Sequence, residues 1–213
     1  MINQKKGMSI TLALIIANFV LFLLVLALMA FKINLIEYIG IMPSRILSGQ
    51  HLWTVITNMF MHASPSHLFM NMMSLLFLGS FLERILGKKR FFIFYMAAGI
   101  FAGLFFVFIS AIFNIELNTI AVGASGAIFG IAGLLAVVTP KLPVYILFIP
   151  IPIPMWLASI LILVIMWLFS VFAGLPIGNT AHLGGLIFGV AYGSYLRMRY
   201  KRRIYLLNKF LMH

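Results

Sequence analysis

The feature that most limits what this chain can fold into is an apolar stretch from Met8 to Phe31, 24 residues without a charge, behind a short basic start from Met1 to Lys6. A stretch of that length is enough to cross a bilayer as a helix. A secretory signal peptide is the competing reading. Its apolar region runs to only about 7–15 residues and ends at a small-residue cleavage site, which is not clearly marked here, so the stretch is read as a first membrane span.

The rest of the chain has the same character. Of 213 residues, 64% are hydrophobic and 8% charged, and the mean hydropathy is +1.16, more apolar surface than a soluble core needs. One all-α polytopic domain is the natural reading. The 17 glycines suit close helix packing in lipid. With no cysteine there can be no disulfide, thiolate nucleophile or thiolate metal site. There is also no aspartate, and the acidic residues are Glu37, Glu83 and Glu116 alone. That excludes an aspartyl dyad and leaves few candidates for the third member of a Ser-His-acid triad. The net charge of +12 does not point to nucleic acid, because the basic residues sit at the ends of apolar segments. That placement matches the positive-inside rule and attraction to anionic lipid.

Lys32 to Ser64, broken by Pro43 and Gly49, reads as a structured interfacial loop with Trp53 as a headgroup-level anchor. Ser64-Pro65-Ser66 is a helix start, Ser64 as N-cap and Pro65 at the first helical position, for a second span reaching about Leu86. A polar turn, Gly87 to Arg90, precedes a third span from Phe91 to Phe113, followed by an uncharged-to-acidic loop, Asn114 to Thr119. A fourth helix runs from Ser125 to about Val138, stopped by Thr139-Pro140. The proline-rich stretch Pro150 to Pro154 reads as an apolar interfacial loop. The fifth span is Met155 to Phe172 and the sixth Ala181 to about Leu196, separated by a loop over Ala173 to Thr180. The division is thus a cytoplasmic N-terminus over 1–7, a six-helix membrane domain over 8–196 and a basic tail over 197–213, which lies on the anionic surface.

With six spans, Lys5, Lys6, Arg84, Lys88, Lys89, Arg90, Lys141, Arg197, Arg199, Lys201, Arg202, Arg203 and Lys209 fall on one side, and Lys32 and Arg45 on the other. This asymmetry places both termini in the cytoplasm of a plasma-membrane protein. The fourth helix then runs from outside to inside. Its 14 residues cover about 21 Å of a core about 30 Å thick, so Ser125 lies below the outer surface, where a polar group faces protein or a water-filled cavity.

Four polar residues reach comparable depth near that face: Ser125, His182, His67 and Asn71. His67 and Asn71 are four apart and share a helical face. Gly185 and Gly189 form a small-residue face on the sixth span, opposite Gly126, Ala127, Gly130 and Gly133 on the fourth. The chemistry permitted is acyl transfer, with Ser125 as nucleophile and neutral His182 as base. The free N–H groups at the helix start stabilise an oxyanion, and His67 and Asn71 are candidate further donors. The shortage of acids implies a dyad. The blander readings are packing for the glycine-flanked serine and interhelical hydrogen bonding for His67 and Asn71. His62, His67 and His182 could hold a metal, but without an HExxH motif or a joining carboxylate no metal or other cofactor is expected. His51 and His213 receive no role.

These residues resemble the rhomboid intramembrane serine proteases. The resemblance rests on Gly123-Ala124-Ser125-Gly126 opening the fourth span, Ala181-His182 followed by Gly185 and Gly189 in the sixth, and His62, His67 and Asn71 around the start of the second. It extends from about Trp53 to Gly193. It implies a six-helix protease with a short central fourth helix and a Ser125–His182 dyad, an oxyanion held by His67, Asn71 and the Ser125 N–H, and no cofactor. Its substrates would be single-pass or membrane-anchored proteins, cut near the outer membrane face and admitted past the fifth helix and the loop before the sixth. Two positions depart from the family's pattern. Thr54 follows Trp53 where many members have arginine, and Phe129 stands where some have tyrosine, keeping the ring against His182 but not the hydroxyl. The competing function is a binding, chaperone-like or transport protein that uses the same polar cavity without chemistry.

Overall fold

Where the helices begin and end follows from a few local groups. The computed structural model describes residues 7–146, 151–173 and 178–211. Helix α1, Ile10–Ala30, opens at Ser9, whose hydroxyl accepts the Leu12 N–H at 3.0 Å. Its second cap comes from far along the chain. The buried Glu83 carboxylate accepts from Ile10 N (2.9 Å), Thr11 N (2.8 Å) and Thr11 Oγ1 (2.7 Å), satisfying first-turn donors and opposing the helix dipole. The buried side chains of α1, Thr11, Leu14, Asn18, Phe22 and Val25, form one narrow stripe, and the other faces are apolar and uncovered.

The segment between α1 and the next long helix holds three short helices, α2 (Ile36–Ile39), α3 (Pro43–Leu47) and α4 (Thr54–Thr57), and a 3-10 turn over Asn58–Phe60. Arg45 ties this segment to itself, bonding the Glu37 carboxylate at 3.0 Å and the Glu37 carbonyl at 2.6 Å. Trp53, about half exposed, donates its indole N–H to the Tyr38 carbonyl at 2.8 Å.

Helix α5, Pro65–Ser74, begins as its sequence requires, with the Ser64 hydroxyl accepting the His67 N–H at 3.1 Å. It continues through a π-helical turn, Leu75–Gly79, into α6, Ser80–Leu86. The sequence gives no sign of this turn. It falls where the helix meets two neighbours: a Cβ on Gly79 would come within 3.4 Å of both Thr11 in α1 and Phe91 in the next helix. Gly87, at φ +78°, makes the reversal alone. Lys88 to Arg90, expected in a turn, therefore form the first turn of α7, Lys88–Phe113, which ends on the left-handed Asn114.

Helix α8, Ser125–Val138, is 14 residues long, and eleven of them are buried. Beyond it Pro143–Val144 (β1) pairs antiparallel with Ile153–Pro154 (β2). This corrects the reading of the proline-rich stretch as loop. Its last two residues form a short strand with Pro143 opposite Pro154, and Ile153 is buried. Pro150 lies outside the described residues. Helix α9, Met155–Ala173, α10, Asn179–Arg199, and α11, Lys201–Leu211, complete the described chain. The sixth apolar segment is thus longer than expected at both ends, and the basic tail is a helix that rests Ile204 and Leu207 on the core.

Among the described residues, four helical stretches are long and apolar enough to cross a membrane: α1, Pro65–Leu86, α7 and Met155–Phe172. Helix α8 is too short by that measure, and α10 is lowered in hydropathy by Asn179, His182, its glycines and its terminal arginines. The two helices that fall short of a spanning signal are the two packed most intimately together. A side chain on Gly185 or Gly189 would run into the Gly126 or Gly130 carbonyl, and one on Gly133 into the Leu186 carbonyl. On another side of α8, Ala102 and Ala98 of α7 would meet a Cβ on Gly126 or Gly130 at 2.7 and 2.6 Å. Small residues here let backbones touch, which replaces the hydrophobic drive that lipid does not supply between helices.

Candidate active site

The backbone contact of α8 and α10 determines where their polar residues meet. Ser125 is the first residue of α8, and His182 lies in the first turn of α10. With Gly185 against Gly126 one turn further on, no side chain holds the two helix starts apart. His182 Nε2 lies 2.7 Å from Ser125 Oγ, a hydrogen bond across 57 residues of sequence. His182 is buried, and its ring stacks on Phe129 with centroids 4.7 Å apart at 23°. No aligned hydroxyl is needed for that contact, so Phe129 is sufficient where a tyrosine was the other option. His182 Nδ1 is buried without a hydrogen-bond partner among the described residues. Two of the three glutamates are committed elsewhere, Glu83 on the start of α1 and Glu37 on Arg45.

The residues before Ser125 are shaped for an open helix start. Gly123 adopts φ +130°, a conformation that favours glycine, and its N–H donates to the Asn58 carbonyl at 2.9 Å. A Cβ at Gly123 would lie 2.9 Å from His67 Nε2 and 3.5 Å from Ser125 Oγ, so the imidazole and the hydroxyl flank one point. The N–H groups of Ser125, Gly126 and Ala127 precede the first intrahelical bond, from Ile128 N to Ala124 O, and have no acceptor within the helix. Donors, hydroxyl and base thus converge on a site that can bind a carbonyl oxygen as it gains charge.

His62 and His67 stand edge to face with centroids 5.1 Å apart. His62 is buried, and neither of its ring nitrogens has a partner among the described residues. Burial first, and the neighbouring His67 second, push its pKa down to about 3. Asn71 is buried on α5 with its amide donating to the His67 carbonyl at 2.8 Å. This uses one of its two N–H groups and leaves the second for another acceptor. Asn58, whose carbonyl holds Gly123 and whose amide bonds the Thr54 and Val55 carbonyls, received no role from the sequence. Its contribution passes through a backbone atom that every residue has, so no side-chain signal marks it.

The Rhomboid domain family matches residues 49–199. The chain belongs to the rhomboid family. It is a multi-pass membrane protein, and among curated rhomboid proteins it is 32% identical over 143 residues to Rhomboid protein 1, mitochondrial, of Saccharomyces cerevisiae, an alignment covering 67% of this chain and 41% of the relative. It is 32% identical over 161 residues to RHOMBOID-like protein 6, mitochondrial, of Arabidopsis thaliana, covering 73% and 47%. Over 81 residues it is 41% identical to the Putative rhomboid protease YdcA of Bacillus subtilis, covering 38% of each. The chain therefore spans less than half the length of these relatives. The matched rhomboid region holds every residue of the site, from Asn58 to Gly189.

Proposed function

We propose that this rhomboid is an intramembrane serine endopeptidase that cuts membrane-anchored proteins with a Ser125–His182 dyad. The observation that carries the reading is the 2.7 Å contact between Ser125 Oγ and His182 Nε2 at the start of a buried helix. In the proposed reaction Ser125 Oγ attacks the scissile carbonyl while its proton passes to His182 Nε2. The carbonyl oxygen, now negative, is stabilised by the Ser125 N–H and by donors from His67 and Asn71. His182 then gives its proton to the departing amine; water, deprotonated by the same imidazole, attacks the acyl group, and His182 returns that proton to Ser125 Oγ as the acid product leaves. Phe129 and the packed backbones keep the imidazole in place, a role a carboxylate has in a triad. No cofactor enters any step. Gly123 and Gly126 leave the oxyanion region open, and Gly185 and Gly189 bring His182 to it.

The same proposal includes six membrane crossings, with α8 as a short central fourth and α10 as the sixth, both termini in the cytoplasm of the cell membrane and Ser125 toward the outer face. Substrate would enter past α9 and the loop before α10, of which 174–177 lie outside the described residues. The partner is the transmembrane helix of an anchored protein in the bilayer, and nucleic acid has no part.

The test is labelling of the purified protein with a fluorophosphonate, followed by cleavage of a substrate with a helix-destabilised transmembrane segment. Wild type is expected to label and cleave. Ser125→Ala and His182→Ala, folded by the same thermal criterion, are expected to lose labelling and to fall by on the order of 10⁴ or more in rate. Cleavage retained by Ser125→Ala would overturn the proposal in favour of a binding or transport protein using the same cavity.

A further inference from the structure

The end of α8 remote from Ser125 carries polar groups that the protease chemistry does not use. Thr139-Pro140 stops the helix, and the following turn, the end of α10 and one face of α11 line an open cavity of about 300 Å³. Lys141, Arg197 and Lys201 line it together with Asn208, Tyr205 and the apolar Val138. Two of these are partly committed to the helix end. Asn208 Nδ2 donates to the Val138 and Ile204 carbonyls at 2.8 Å, and Arg197 Nη1 approaches the Val137 carbonyl at 3.4 Å. Lys141 and Lys201 have no hydrogen-bond or ion-pair partner among the described residues, and none of the chain's three glutamates lines the cavity. Three cations around one small volume repel one another unless an anion joins them.

The surroundings specify the kind of anion. Tyr205, Leu206 and Phe210 on α11 are 68%, 54% and 80% exposed, and the helix carries Arg202, Arg203 and Lys209 as well. Apolar side chains beside cations at the end of a membrane bundle belong in the headgroup region, where a phosphate and acyl chains are found together. Basic pockets at such a position hold anionic lipid headgroups.

We propose that this cavity is a headgroup site for an anionic glycerophospholipid, with the lipid phosphate among Lys141, Arg197 and Lys201. The inference goes beyond the protease reading and does not depend on it. Bound lipid joins the turn after α8 to α10 and α11, so it clamps at the far end the same two helices that carry Ser125 and His182 at the other.

The experiment is thermal unfolding of the full chain in a neutral detergent during titration with phosphatidylglycerol, with phosphatidylcholine and inorganic phosphate as separate arms. Phosphatidylglycerol is expected to raise Tm saturably, and phosphatidylcholine or millimolar phosphate is not. In Lys141→Gln/Lys201→Gln the half-saturating phosphatidylglycerol is expected to rise about tenfold or more, while Arg202→Gln/Lys209→Gln, which removes equal charge from outside the cavity, stays within about twofold. Lys141→Arg/Lys201→Arg keeps the response and guards against simple misfolding. Equal losses in the two glutamine pairs would assign the effect to diffuse surface charge and overturn the site. So would an equal response to phosphatidylcholine, and inorganic phosphate reproducing the shift would overturn the lipid assignment.

Discussion

At the scale of the residue, the site is a set of polar groups made special by what surrounds them. Ser125 is an ordinary hydroxyl until a neutral imidazole stands 2.7 Å away and a helix start supplies unpaired N–H groups. The rate is expected to fall on the acid side as His182 takes up a proton and ceases to be a base. A separate pH effect belongs to His62, whose buried ring is held neutral, with its pKa pushed down to about 3 from the ordinary 6.5. Between these values the unfolded chain binds a proton that the folded one does not, so stability is full above about 6.5 and declines as the pH falls toward 3. The decline is at most about 1.4 kcal/mol per pH unit. Thermal unfolding of His62→Gln across that window is expected to show a shallower loss than wild type, and parallel curves would remove His62 as the cause. The sequence singles out Ser125 as a glycine-flanked serine at a helix start, and His182 and His67 because histidine is rare in apolar segments and costly there. The commitment of the Asn71 amide to the His67 carbonyl was not, since it depends on a side-chain rotamer.

At the scale of the element, α8 and α10 act as one unit because their glycines let the backbones touch, Gly185 against Gly126, Gly189 against Gly130, and Gly133 against Leu186. Gly189→Ala inserts a methyl against the Gly130 carbonyl, a backbone atom that cannot rotate away. The expected cost is about 1–3 kcal/mol or more, with the helices pushed apart. Because His182 reaches Ser125 only through this contact, fluorophosphonate labelling should fall as well as Tm. A stable, fully labelled Gly189→Ala protein would mean that the helices tolerate separation. The helix bounds of α1, α8 and α9 were readable from apolar runs and breakers. The π-helical turn in the second apolar segment and the β1–β2 pairing were not, because each answers to a neighbour distant in sequence: Thr11 and Phe91 beside Gly79, and Pro143 opposite Pro154.

At the scale of the whole molecule, the most apolar helices, α1 and α9, are the ones with the most uncovered surface, and the short α8 is the one most fully buried. The proposed orientation has a direct check, since the chain lacks cysteine and any introduced thiol is unique. Lys89→Cys, exposed at the start of α7, is expected to react with an impermeant maleimide only after the membrane is opened. Asn118→Cys, exposed in the loop after α7, is expected to react in intact cells. The reverse pattern would invert the topology and place Ser125 toward the cytoplasm.

The sequence by itself determined that this is a helical membrane protein with a candidate serine and histidines near helix starts, because apolar length, breakers and polar residues inside apolar runs are local properties. Only the tertiary structure decided that Ser125 meets His182, that Glu83 caps the start of α1, that Gly123 is held by Asn58, and that Lys141, Arg197 and Lys201 surround one cavity. Each of these joins residues 57 to 73 positions apart or brings three elements together, and the distances are settled by which backbones can touch.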